Sequence, residues 1–145
     1  MSEQNFSNHT KFVPMFHFFV GPILIVNFLA QAILLVKGGV FTFASILHVL
    51  VAAALLVLAF LARLFALGVQ DRVIRLEERM RYEKLLPADL QSRIGEFNIS
   101  QLVSLRFASD TELPALARKV LDGKIANRKA IKRMIQNWRA DYQRI

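Results

Sequence analysis

The sequence predicts an all-α membrane protein: a two-helix transmembrane hairpin, a second helix continuing as a cytoplasmic stalk, and a small C-terminal helical domain. Three observations predict it. Residues 15–36 and 41–62 carry no Asp, Glu, Lys or Arg, and each is about as long as the ~20 residues needed to cross a ~30 Å hydrocarbon layer. Residues 64–87, LFALGVQDRVIRLEERMRYEKLLP, pass from apolar to half charged with no proline or turn cluster until Pro87. Beyond Pro87 the chain breaks into short amphipathic segments with helix start and stop signals.

The elements follow in order. Residues 1–14 form a polar cytoplasmic lead with one basic residue, Lys11. Residues 15–36 form the first span; the apolar run is longer than a signal-peptide core and no small-x-small cleavage pattern follows Val36, so an uncleaved span is expected. Residues 37–40, Lys-Gly-Gly-Val, form a tight turn that admits little but an antiparallel hairpin. Residues 41–69 form the second span. After Val69 the chain holds 16 Lys and Arg against 10 Asp and Glu. Arg63, Arg72, Arg75, Arg79 and Arg81 crowd the end of that span, which places both termini in the cytoplasm by the positive-inside rule.

Residues 70–86 form the helical stalk. Ala66, Val69, Val73, Leu76 and Met80 are spaced 3, 4, 3, 4, a short a/d seam. The seam serves either dimerisation or packing on the chain's own C-terminal helices. Asp71 with Arg75, Glu77 with Arg81, and Arg79 with Glu83 are expected i, i+4 pairs along it.

Residues 87–145 form the basic helical domain. Pro87 opens a short helix that Gly95 stops. A second helix can start at Asn98 or Ser100; Asn98 has Gln101 three residues on, a capping-box-like pair. Ser109, Asp110 and Thr111 open a third, in which Leu113, Leu116, Ala117, Val120 and Leu121 make one apolar face and Gly123 ends the run. A last helix is expected over residues 127–142, with Ile131, Met134, Ile135, Trp138 and Tyr142 in a stripe and Arg128, Lys129, Lys132, Arg133 and Arg139 around it. Residues 124–145 hold 7 basic and 1 acidic residue, so most of the chain's +8 excess sits there.

That helix has several readings. Its stripe packs on the domain while Arg128, Lys129, Lys132, Arg133, Arg139 and Trp138 meet anionic lipid or an acidic protein partner; it lies in the membrane interface; it binds nucleic acid, for which no accompanying motif exists; or it is a solvated charged face.

Within the spans, Asn27, Gln31 and His48 fall at similar depth when counted from the Gly-Gly turn. The expected role is interhelical hydrogen bonding, His48 to Asn27 or Gln31. The alternatives for His48 are a haem or pigment ligand, or a proton relay. His17 sits near the inner boundary, too far away to share a porphyrin with it.

No enzymatic constellation is present. There is no cysteine, paired-His motif, phosphate-binding glycine loop or nucleophile elbow. Both spans lack Asp and Glu, which argues against ion-coupled transport. The expected function is a non-enzymatic integral membrane protein, an adaptor or accessory subunit without cofactor or metal. Its basic domain is expected to bind a protein partner, a homo-oligomer or anionic headgroups.

QNFSNHTKFVPMFHF (residues 4–18), QDRVIRLEERMR (70–81), LLPADL (85–90), LRFASDTELPAL (105–116) and RKAIKRMIQNW (128–138) cover most of the chain. Through them it resembles a family of short bacterial two-span membrane proteins classed as a domain of unknown function. The resemblance implies a bacterial inner-membrane protein with a cytoplasmic tail, and no activity or functional residue. Asn5, Asn8, His9 and His17 form a polar and aromatic group before the first span, open to contact with the stalk base, a headgroup or a partner.

Overall fold

The computed structural model describes residues 4–39 and 41–142. Val40 of the expected turn, residues 1–3 of the lead and residues 143–145 of the C-terminal domain lie outside the described residues. Every element among the described residues is helical. The described residues divide into two compact units, residues 11–39 with 41–67 and residues 4–10 with 68–142.

The first unit contains helix α1 (Gly21–Gly38), entered through a π-helical segment at Met15–Val20. Pro22 explains the wide turn: it has no N–H to donate, and its ring crowds the carbonyl four residues back. The chain relaxes by bonding the Gly21 N–H to the Phe16 carbonyl, five residues back. A Cβ on Gly21 would stand 3.1 Å from that carbonyl oxygen, so the glycine permits the approach. Ahead of the turn, His17 Nδ1 lies 2.9 Å from the Val13 carbonyl and 3.1 Å from the Val13 N–H, its tautomer selecting which it meets. α1 ends at Gly39, whose φ of 62° is the left-handed conformation glycine adopts without strain. None of its residues is buried.

Helix α2 (Phe43–Leu85) is 43 residues long, about 65 Å at ~1.5 Å per residue. Thr42 opens it, its hydroxyl accepting from the Ser45 N–H. Gly68 does not break it. Pro87 ends it, extended at φ −66° and ψ 157°. The segment from Met15 to Gly38 and the first half of α2 are long and apolar enough to cross a bilayer.

In the second unit, the C-terminal part of α2 packs against short helices: α3 (Ala88–Gln91), a 3₁₀ turn (Ile94–Glu96), α4 (Ile99–Leu105), α5 (Leu113–Asp122) and α6 (Arg128–Arg133). Tyr82 and Leu86 join Leu90, Phe97, Leu102, Leu105, Phe107, Leu113, Val120 and Ile131 in one core. The Asn98–Gln101 capping box is present in full. The Gln101 side chain also donates to the Ile125 carbonyl, tying α4 to the loop before α6. Arg93 pairs with Glu96 and Asp122, and Arg118 with Asp89. These guanidinium partners hold the Glu96 and Asp89 carboxyls below the usual carboxylate range.

Gly123 ends α5, though at φ −77° it is not left-handed. The left-handed residue is Lys124, at φ 49°. Glycine is required at 123 for space: a Cβ there would stand 2.9 Å from the Lys119 carbonyl oxygen.

Three expectations are corrected. The expected helix over residues 127–142 stops at Arg133, because backbone donors past that point find partners elsewhere. The Glu112 carboxylate accepts from the Gln136 and Asn137 N–H groups. Ser109 and Phe107 then pair with Asn137 and Arg139 around an isolated Ala108–Trp138 bridge. Ile131 and Trp138 therefore do not share one helical stripe. The seam does not pack on the chain's own helices: Val69, Val73, Leu76 and Met80 are 60%, 48%, 62% and 53% exposed, while Ile74, Glu78, Tyr82 and Leu86 are buried. The i, i+4 ion pairs give way to two tertiary ones, Asp71 with Arg128 and Arg81 with Asp110, and to one i, i+3 pair within α2, Arg81 with Glu78.

Candidate functional site

The second unit holds a cleft of about 730 Å³ with both signs of charge in its walls. α2 contributes Glu77, Glu78, Met80, Arg81 and Lys84, spaced to share one helical face. The segment after α4 contributes Arg106 and Asp110, and the segment after α6 contributes Arg139 to Tyr142. The Ala108–Trp138 bridge brings the last two segments together. Extended chain alternates its side chains. Trp138 accordingly packs on Phe107 at 4.9 Å, while Arg139 reaches Glu78 at 3.8 Å.

Arg81 organises the floor. Its guanidinium donates to Glu78 at 3.1 Å, Asp110 at 2.6 Å and the Ala108 carbonyl at 2.7 Å. Both members of the Glu78–Arg81 pair are nearly buried. Burial pushes the Glu78 carboxyl above the usual carboxylate range, against the pull of Arg81, Arg139 and Arg106. One turn along, the Tyr82 phenol is fully buried against Phe97, and its hydroxyl has no hydrogen-bond partner among the described residues. Burial and the adjacent Glu78 charge drive its pKa well up. Arg106 pairs with Asp141 at 3.2 Å. The Gln4 amide clasps the Asp141 main chain, accepting from its N–H at 2.8 Å and donating to its carbonyl at 3.2 Å.

Residues 4–10 of the lead thus belong to this unit. His9 sits 5.8 Å from the Phe107 ring and 5.7 Å from Trp138, and Arg133 lies over Phe6 at 5.6 Å. Of the residues left open in the sequence, His9 meets an aromatic pair on the C-terminal segments, while Asn5 and Asn8 close a local turn.

The predicted basic residues do not form one surface. Arg128 is held by Asp71 at 3.6 Å and by Ser100. Lys132 lies over Phe107 at 5.0 Å. Arg133 is on Phe6, Arg139 is in the cleft, and Trp138 is half-buried. Lys129 is exposed. In the first unit Asn27 and Gln31 are half-buried and His48 is exposed; among the described residues no hydrogen bond joins the three.

Gln4, Glu78, Arg81, Arg106, Asp110 and Asp141 were not singled out from sequence as a site. One signal for Glu78 exists: Ile74, Tyr82 and Leu86 recur every four residues, and a carboxylate fills the vacant place in that row. Nothing in the spacing of Gln4, Arg106 or Asp141 points to their meeting. Glu78, Asp110 and Asp141 each pair with a guanidinium, and charges of the two signs balance across the lining. Such a cleft suits a ligand carrying both signs, such as a peptide segment. Among the described residues no cluster of three His, Asp or Glu could hold a metal ion.

The fold and the cleft define an all-helical protein with two helices of membrane-crossing length and a small ion-paired helical unit. The chain belongs to DUF6526, a family of unknown function whose model matches residues 1–145. The resemblance drawn from the sequence is borne out at that level. No curated protein and no solved structure matches the chain.

Proposed function

We propose that the chain is a non-enzymatic, membrane-anchored adaptor or accessory subunit, whose helical unit binds a protein partner at the cytoplasmic face of a bacterial inner membrane. The observation that carries this reading is α2. It runs unbroken for 43 residues, apolar and largely uncovered at first, then bearing a packed unit. Exposed apolar surface on that scale belongs in lipid. Residues 15–36 and 41–69 are read as a hairpin in the bilayer. The packing of Gln4, Phe6 and His9 on the C-terminal segments supports both chain ends lying on one side, as two crossings require. The occupation of Arg128, Lys132, Arg133 and Arg139 by neighbours in the chain supports a protein partner over anionic headgroups.

The test is purification of the full chain from its own membranes in mild detergent. A polypeptide recovered in fixed ratio with the wild type, and lost with Arg139→Glu combined with Lys84→Glu, supports the adaptor. Identical recovery from wild type and variant, or solubility without detergent, refutes it.

A further inference from the structure

Between Val69 and Met80, α2 has two working faces. Ile74, Glu78 and Tyr82 turn into their own unit. At about 100° per residue, Val69, Val73, Leu76 and Met80 all lie within about 40° of the direction opposite Glu78. They are about half exposed or more. Val73, Leu76 and Met80 carry the 3, 4 row of Ala66 and Val69 on past the bilayer segment, and an apolar row so spaced is uncommon on a helix face that meets only water.

We propose that a second copy of this chain covers this row, the two α2 segments packing in parallel as a short left-handed coiled coil. Val73 and Met80 take a positions; Val69 and Leu76 take d positions. The inference rests on the anchored reading, because two chains inserted in the same sense meet in parallel. Charge supports it independently. In this register Arg72 is a g residue and Glu77 the e residue of the next heptad, the pair that meets across a parallel seam. Both are exposed, and neither has an ion pair within the chain among the described residues. A parallel pair joins Arg72 of each copy to Glu77 of the other. An antiparallel pair would set Glu77 against Glu77 and arginine against arginine. Beyond Met80, Glu83 takes the next d place and Arg79 faces Lys84, so the seam stops there. Two heptads are too few to associate strongly in solution. Confinement to one membrane supplies the effective concentration.

The chain has no cysteine, so single cysteines report contact cleanly. Val69→Cys, Val73→Cys, Leu76→Cys and Met80→Cys are oxidised in the full chain in its own membranes, beside Arg75→Cys and Lys119→Cys. The expected result is a covalent dimer several-fold more abundant at the four seam positions. Arg72→Glu should reduce the Leu76→Cys dimer, and adding Glu77→Arg should restore it. Equal yields at all six positions, or no dimer at the seam, overturns the proposal. Alkaline carbonate washing of the same samples separates it from the anchor. A chain that washes off yet cross-links at the seam overturns the anchor and keeps the dimer. One that stays and does not cross-link overturns the dimer alone, and one that does neither overturns both.

Discussion

Arg81→Met is the sharpest test of how the second unit is held together. Arg81 is nearly buried and serves three acceptors: Glu78, Asp110 and the Ala108 carbonyl. Asp110 is exposed, so losing that contact costs little. Glu78 is buried, and without Arg81 it keeps only Arg139 within ion-pair distance, at 3.8 Å. Removing one member of a buried pair strands the other, at a cost of about 3–5 kcal/mol. Arg139 lowers that toward about 3 kcal/mol. With a urea slope of about 1.5 kcal/mol/M, the midpoint should fall by about 2 M. Trp138 is the chain's one tryptophan and packs on Phe107, so its fluorescence in nonionic detergent reports this unit. Adding Glu78→Leu to Arg81→Met should bring stability back to within about 1 kcal/mol of wild type, since no charge is then left buried without a partner. An Arg81→Met loss under about 1 kcal/mol, or no recovery in the double variant, would refute the reasoning.

Glu78 also predicts a pH slope. Its folded-state pKa is raised above the ordinary 4.5, because burial outweighs its cationic neighbours. The folded chain therefore takes up a proton the unfolded chain still lacks. This contribution grows as pH falls through the raised pKa and is complete below 4.5. Glu78→Gln should remove that slope in urea titrations at stepped pH. Asp89 and Glu96 run the other way: Arg118 and Arg93 hold them low, so what they contribute is present above their ordinary pKa and fades as pH falls through the lowered one. Asn98→Ala breaks the capping box of α4 and should cost about 1 kcal/mol in the same titration. Gly123→Ala forces a Cβ against the Lys119 carbonyl oxygen and should cost about 1–3 kcal/mol. A neutral effect would show that the end of α5 yields freely.

Local signals were legible in the sequence wherever the physics is local. Asn98 and Gln101 cap because their side chains reach backbone three residues away. Pro87 stops α2 because proline has no N–H and disfavours helical geometry before it. The charge-free runs read as membrane-length helices because length and transfer energy are properties of the segment alone. The 3, 4, 3, 4 row was visible too, but the choice between its two uses was not. That choice depended on whether α2 turned Ile74 and Tyr82 or Val73 and Leu76 toward the short helices, and both rows are apolar.

Tertiary structure decided the rest, because it depends on groups far apart in the chain. Residues 134–142 have the pattern of a helix, yet Glu112 captures the Gln136 and Asn137 backbone donors from another element. Arg81 has Glu77 one turn behind it, yet takes Glu78 and Asp110, because the buried pair faces the core and Glu77 does not. Gln4 and Asp141 stand 137 residues apart and still share two hydrogen bonds. The sequence by itself determined where helices start, stop and prefer lipid, since those free energies are set by neighbours. Only the fold decided which charges were buried together and which apolar row stayed open, because burial is a property of what a surface meets.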